Sequence, residues 1–380
     1  MNLIKCFIFI LWIILSKLSF AIDYEFYENI LTLNGFLTAS AGKIIAGNKY
    51  DRYIEKYNCP CFPANYEYGS MYDNNGWKFK PESLLGVQAT VSTKNKNFSA
   101  TLQLVTRGIN DFVTDIDWAY LTYRINEQLS IQAGHKRLPL YYYTDFMYIG
   151  FSYPWVRPPV DLYGWQIYSY NGVNLLYKDI WGSWSAIANF WTGRQSDRNN
   201  KMWSDIYGSD KDETWRNIVG AYLDLNKNDF YNIRLIHMQN YVDRFTFNND
   251  NSVTHYPNNM RQLFYGVAAN IDADHWLLRS EFTYFKRPAN HNDYISLLFG
   301  LGLKYNHLTA LSTYSKFNER SEEWPNEVER HDTRTLLFRW DVTGSLALKL
   351  QYDIFHDRSA PGFPFVGNSK LLSTAIVMAF

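Results

Sequence analysis

From Leu31 to its last residue the chain repeats one unit: about ten residues with every second side chain apolar, a short polar turn, another such stretch, then a longer polar segment. Leu85, Val87, Ala89 and Val91 alternate with Gly86, Gln88, Thr90 and Ser92, and beyond Lys94–Asn97 the residues Phe98, Ala100, Leu102 and Leu104 alternate with Ser99, Thr101 and Gln103. Successive side chains of a strand point to opposite faces, so each stretch has one greasy and one wet face. Such segments occur at 31–41, 84–92, 98–108, 116–125, 129–136, 165–178, 183–192, 217–225, 230–240, 262–271, 275–286, 294–305, 308–317, 333–342, 346–356 and 370–380. Sixteen is an even number, as closure of an antiparallel barrel from one chain normally requires.

The connections alternate in length as well. Tight turns are expected at Lys94–Asn97, Asn126–Gln128, Asp179–Gly182, Asn226–Asp229, Asp272–Asp274 and Thr343–Ser345, and long polar loops at Lys43–Ser83, Arg137–Gly164, Gly193–Arg216, Tyr241–Arg261 and Asn318–Asp332. In a membrane barrel the short turns lie on the periplasmic side and the long loops outside. A soluble sandwich also alternates apolar and polar residues, so the placement of aromatics and charges has to decide. Tyr123, Phe190, Tyr231, Tyr305 and Tyr352 stand near the ends of apolar faces, where amphipathic rings meet lipid headgroups. The opposite faces carry Arg107, Arg124, Lys136, Arg234, Arg279, Lys304, Arg339 and Lys349 against Asp224, Glu281, Asp341 and Asp353, all expected to line a wet lumen. With more cationic than acidic lining residues, a weak anion preference is expected.

The N-terminus reads as a secretory signal. Lys5 precedes an apolar run from Cys6 to Leu15, and Leu18-Ser19-Phe20-Ala21 sets small residues before a cut after Ala21. The run is about half of the ~20 residues a membrane helix needs. Two units are therefore expected, a leader over residues 1–21 and one barrel domain over 22–380. Cleavage removes Lys5 and Lys17 and no acidic residue, leaving a slightly acidic chain with nothing to suggest a nucleic-acid partner. It also removes Cys6, so Cys59 and Cys61 remain, in a long loop. A loop disulfide and half of a metal site are both open to them, and the lack of nearby His disfavours the metal. No cofactor is implied.

The last strand presents Leu372, Thr374, Ile376, Met378 and Phe380 on one face, with no tail beyond it. A terminal strand ending in Phe resembles the signal of Gram-negative outer-membrane proteins. Behind the fifth strand run Ala133-Gly134-His135-Lys136-Arg137-Leu138-Pro139-Leu140-Tyr141, then Thr144-Asp145-Phe146, then Tyr153-Pro154-Trp155-Val156-Arg157-Pro158-Pro159-Val160-Asp161-Leu162-Tyr163. Together these features resemble the bacterial porin superfamily over essentially the whole mature chain, and that last stretch looks like an uncharacterised gammaproteobacterial porin group.

The resemblance implies an all-β transmembrane barrel in the outer membrane, with its third loop folded into the lumen as a constriction. Arg137, Asp145, Arg157 and Asp161 would set opposed charges across it, stiffened by Pro154, Pro158 and Pro159. The loop departs from the enterobacterial type, which carries Pro-Glu-Phe-Gly-Gly there. The resemblance further implies a homotrimer bathed in outer-membrane lipid and passive diffusion of small hydrophilic solutes. A substrate-specific channel, an adhesive surface barrel and a barrel enzyme are the other classes. No Gly-x-Ser-x-Gly, no His-Glu-x-x-His and no phosphate loop occurs, so no catalytic residue is assigned.

Overall fold

The computed structural model describes residues 22–26, 29–48, 57–248, 250–363 and 365–380. The expected leader lies outside them. Sixteen strands form the barrel. The first eight are β1 (Asn29–Gly47), β2 (Leu84–Thr93), β3 (Phe98–Arg107), β4 (Thr114–Arg124), β5 (Leu129–Arg137), β6 (Ser169–Trp181), β7 (Trp184–Asp197) and β8 (Asp210–Lys227). The second eight are β9 (Tyr231–Phe247), β10 (Met260–Asp272), β11 (Trp276–Arg287), β12 (Asn292–Tyr305), β13 (Leu308–Ser321), β14 (Arg330–Asp341), β15 (Leu346–Asp357) and β16 (Ser369–Ala379).

Each strand pairs antiparallel with the next, and β16 returns to β1 from Gly47↔Ser369 to Phe36↔Ala379, so the sheet has no open edge. Closure of this kind satisfies every ladder amide and carbonyl without water, the condition for crossing hydrocarbon. Each of the sixteen expected segments overlaps one strand. The differences lie at the ends: β6 begins at Ser169, and β8 begins at Asp210 and carries a bulge between Arg216 and Val219. Short strands at Ile22–Phe26 and Val253–His255 extend β1 and β9. No helix of the described residues is long and apolar enough to cross a membrane.

The closing seam ends on Phe380. Its amide donates to the Gly35 carbonyl at 2.9 Å and its carbonyl accepts from the Gly35 amide at 2.7 Å. The Phe380 ring lies over Gly35 so closely that a Cβ there would sit 2.4 Å from it, so a larger residue at 35 would push the terminal ring aside.

The apolar residues of the alternation point outward. Phe299, Leu301 and Leu303, consecutive outward positions of β12, are 52%, 53% and 68% exposed, and Leu121, Leu235, Val267, Phe282 and Phe338 join them around the wall. Each such side chain gains about 2 kcal/mol on passing from water to hydrocarbon. A soluble sandwich would turn this face into its core. Here many of the buried wall positions are instead polar, including Gln103, Asn174, Asn189, Asn240, Gln262, Thr313, Thr335, Gln351 and Ser373. The barrel is thus apolar outside and polar inside.

The first long connection carries a small hairpin, Phe62–Asn65 paired with Ser70–Tyr72, that the alternation does not announce. Cys59 and Cys61 are disulfide-bonded beside it. Phe62, Tyr66 and Tyr72 pack with Phe355, Phe365 and Leu371 from the far end of the chain.

Candidate constriction in the barrel lumen

The connection from Leu138 to Tyr168 joins β5 to β6 and holds two 3-10 turns, Thr144–Phe146 and Gly150–Ser152. Proline at 139, 154, 158 and 159 fixes φ, and the remainder runs as bends and turns. Its side chains Leu138, Leu140, Tyr141, Tyr143, Trp155, Leu162 and Trp165 are buried. They pack against inward-facing Ile236, Met238, Phe264, Leu277, Leu298, Leu311 and Leu337 of β9 to β14. These inward apolar residues interrupt the wet face of the alternation. They form a greasy patch on which the loop rests.

Polar wall residues then tie the loop down by its backbone. Glu281 on β11 accepts from the Tyr142 amide at 2.9 Å and from the Tyr163 hydroxyl at 2.6 Å. Lys349 on β15 donates to the carbonyls of Gly150, Tyr153 and Trp155, all within 2.7 Å, so its buried ammonium is solvated by the loop itself. Arg339 on β14 donates to the Phe151 and Tyr153 carbonyls at 2.9 Å, and Gln351 accepts from the Val156 amide at 2.7 Å. Loop carbonyls and amides would otherwise be buried without partners, at a cost of about 1–3 kcal/mol each.

Charged groups of the loop are held in the same way. Arg157 is clamped between Glu82, through Nε and Nη2, and Asp353 at 2.6 Å, and also donates to Ser373 at 2.8 Å. Asp161 accepts from Ser315 at 2.5 Å and meets His331 Nδ1 at 2.6 Å. Burial alone would raise the Asp161 carboxyl, but the hydrogen bond and charge of His331 and the Ser315 hydroxyl outweigh it and hold Asp161 below its ordinary value. Arg137, at the end of β5, bridges Asp117 at 3.2 Å and Glu67 of the first long connection at 3.0 Å.

Three solved structures share this architecture. The outer membrane channel DcaP of Acinetobacter baumannii aligns with a TM-score of 0.62 at 10% identity, over 95% of this chain and all of that one. OmpF of Salmonella typhi, solved with daunomycin, aligns with a TM-score of 0.61 at 11% identity, over 94% of this chain and all of that one. The anion-selective porin of Comamonas acidovorans gives 0.54 at 13% identity, over 93% of this chain and all of that one. The chain has a porin fold. No family model matches the sequence, and no curated protein matches it either.

Within the porin fold the residues expected at the constriction divide. Arg137, Arg157 and Asp161 are buried and engaged with wall or loop partners, while Asp145 stays half-exposed, with its carboxylate 3.6 Å from Arg234. Among the expected lining residues, Glu281, Arg339, Lys349 and Asp353 hold the loop, with Asp341 paired to Arg339 at 2.7 Å. Arg107 is buried against Asp117 at 3.1 Å, and Arg234 pairs with Asp224 at 2.6 Å. Asp272 takes both Arg279, at 2.9 Å, and Lys304, at 3.2 Å. Arg124 is exposed at the short-turn end of β4. Lys136 is half-buried above the Tyr120 ring, donates to Gln132, and has no ion-pair partner within 4.0 Å among the described residues.

Sequence reasoning missed Glu67, Glu82, Asp117, Ser315, His331 and Gln351, which supply the other half of these contacts. Inward side chains that keep partial exposure include Gln88, Trp118, Tyr120, Gln132 and Lys136 on β2, β4 and β5 and Tyr222 and Asp224 on β8, with Arg279, Lys304 and Arg339 on the opposite wall. On the loop, Tyr142, Asp145, Phe146 and Met147 keep it too.

Proposed function

We propose that this chain is an outer-membrane porin that lets small hydrophilic solutes diffuse through a water-filled passage, constricted by the loop from Leu138 to Tyr168. The observation that carries this reading is the asymmetry of the lumen, with the loop bound to one side of the wall and half-exposed polar side chains left on the other. The solute path then runs between Gln88, Trp118, Gln132 and Lys136 on the wall and Asp145 and Phe146 on the loop. The mature chain begins after Ala21, resides in a Gram-negative outer membrane and assembles as a homotrimer.

The cationic excess on the lining narrows once partners are counted, because Arg107, Arg234, Arg279, Lys304 and Arg339 each meet a carboxylate within 4.0 Å. Of the lining cations expected beside the passage, Lys136 has no carboxylate within 4.0 Å among the described residues, so we assign weak anion preference to it. A second reading, a substrate-specific channel, gains from the half-exposed Trp118 ring beside Tyr120 along the same passage, since an aromatic surface favours particular solutes. Liposome swelling with sugars and amino acids of graded size tests both. A general porin gives rates that fall smoothly with solute size, and a specific channel gives one solute far above that line.

A further inference from the structure

A second cavity of about 130 Å³ lies above the loop at the long-loop end of the barrel. It has room for about four waters, close to the ~150 Å³ that takes up a benzene ring. Its floor is Gly164, Trp165 and Gln166 of the loop, and its roof includes Trp203, Tyr207 and Phe363 from the connections after β7 and β15. Tyr294 and Phe317 of the wall add aromatic surface. An apolar body with a few convergent polar groups is the usual make-up of a ligand pocket.

Charge in this cavity is partly separated, with Arg287 apart from the carboxylates and the cationic His331 on their side already held by Asp161 and Glu329. On one side stands Arg287, only 6% exposed and set near the rings of Trp165 and Tyr294. It donates to the Tyr294 hydroxyl at 2.8 Å and to Gln166 at 3.4 Å, and the Gln262 amide oxygen, turned toward it, accepts at 2.7 Å. All three partners are neutral, and no carboxylate pairs with Arg287 among the described residues. The nearby carboxylate of Glu213 is already committed to Arg244 at 2.7 Å and to the indoles of Trp203 and Trp215. A buried guanidinium without an anion is uncommon, because buried charges are ordinarily paired.

The other side carries three carboxylates. Glu329 takes the Tyr207 hydroxyl at 2.7 Å and His331 Nε2 at 3.2 Å. Glu319 accepts from the Glu329 amide at 2.9 Å and also meets the Tyr294 hydroxyl, and the exposed Glu327 carboxylate has no partner among the described residues. Tyr294 stands between the two sides, since its hydroxyl meets Arg287 and its backbone lies opposite Glu319 in the β12–β13 register. The cavity is therefore a dipole with aromatic walls.

We propose that this cavity binds a small zwitterion with an apolar side chain, a free amino acid, with its carboxylate on Arg287 and its ammonium on Glu319 and Glu327. The Arg287 fork suits a planar carboxylate, and the side chain lies against Tyr207, Phe317 and Phe363. Binding here needs no conduction. It adds a recognition step at the outer end of the barrel, ahead of the constriction.

The test is isothermal titration of the refolded full chain in a polyoxyethylene detergent with four probes. These are L-phenylalanine, its methyl ester, which lacks the anion, N-acetyl-L-phenylalanine, which lacks the cation, and methyl α-D-glucoside. Phenylalanine is expected to saturate one site per chain, and each blocked form to bind at least about tenfold more weakly, because each leaves one charged side of the cavity unmatched. Arg287→Lys is expected to weaken phenylalanine about tenfold through loss of the fork. Glu327→Gln, on an exposed loop position that disturbs no contact, is expected to weaken it about threefold, the size of an exposed ion pair. Equal binding of a blocked form, binding of the glucoside in its place, no saturable heat, or unchanged affinity in both variants overturns the proposal. A negative titration leaves the diffusion channel standing, and a silent bilayer leaves this site standing.

Discussion

The inner walls of β2 to β5 and of β9 to β15 read alike from outside, since both alternate apolar with polar residues, yet inside they do different work. On β9 to β15 the inward positions mix Ile236, Leu298, Leu311 and Leu337 with Glu281, Arg339, Lys349 and Asp353, and every one of these meets the loop or a residue that does. On β2 to β5 the inward positions include Gln88, Thr101, Gln103, Trp118, Gln132 and Lys136, with short cross-strand contacts such as Gln103 to Gln88 at 2.9 Å, and the loop is met at Tyr148 by Val105, Arg107 and Arg137 at the long-loop ends of β3 and β5. One wall is a mould for the loop and the other is a lining. A polar inner face is therefore not by itself a pore.

The comparison can be broken most forcefully at Arg157. Replacing it with Ala leaves Glu82 and Asp353 buried without their cation, a loss of about 3–5 kcal/mol, read as a lower urea midpoint for the refolded protein, together with larger single-channel conductance as the loop detaches. Lys349→Met is expected to cost less, about 2–3 kcal/mol, since three loop carbonyls lose one shared donor while the side chain's bulk is kept. Its conductance is also expected to rise. If either variant unfolds normally and conducts like the parent, the mould is not holding the loop.

On the lining wall the balance reverses. Lys136→Glu is expected to cost about 1 kcal/mol, less than either mould variant because it breaks one hydrogen bond and one ring contact but no ion pair, while shifting the reversal potential toward cations. Acid gives the smallest effect. Asp161 sits below its ordinary value, so the hold it exerts through His331 and Ser315 is complete above the usual carboxylate range near pH ~3.9 and is lost as pH falls through its lowered value. Conductance noise should therefore stay flat down to the usual carboxylate range and rise only below it. Asp161→Asn should remove that dependence.

How much of this was legible follows from the same contrast. All sixteen strands were, because lipid outside and polar groups inside impose a period of two that no tertiary detail overrides. The mould was half-legible: Leu298 and Leu337 stand on wet faces, between Ser296 and Gly300 and between Thr335 and Arg339, and those exceptions are what the loop packs on. The loop's own chemistry was not. Arg157 and Asp353 are 196 positions apart, and Asp161 and His331 170, so no local pattern reveals that charges suited to an eyelet serve as anchors. The Phe62–Tyr72 hairpin escaped notice because its strands are four and three residues long.

The central claim, a passage left open along the lining wall, is tested most directly by planar-bilayer recording of the refolded protein in a salt gradient. The account predicts discrete, ohmic conductance steps with a reversal potential slightly toward anions, lost in Lys136→Glu and with larger steps in Arg157→Ala. Folded protein that inserts yet carries no current, in the parent and in Arg157→Ala alike, would contradict it.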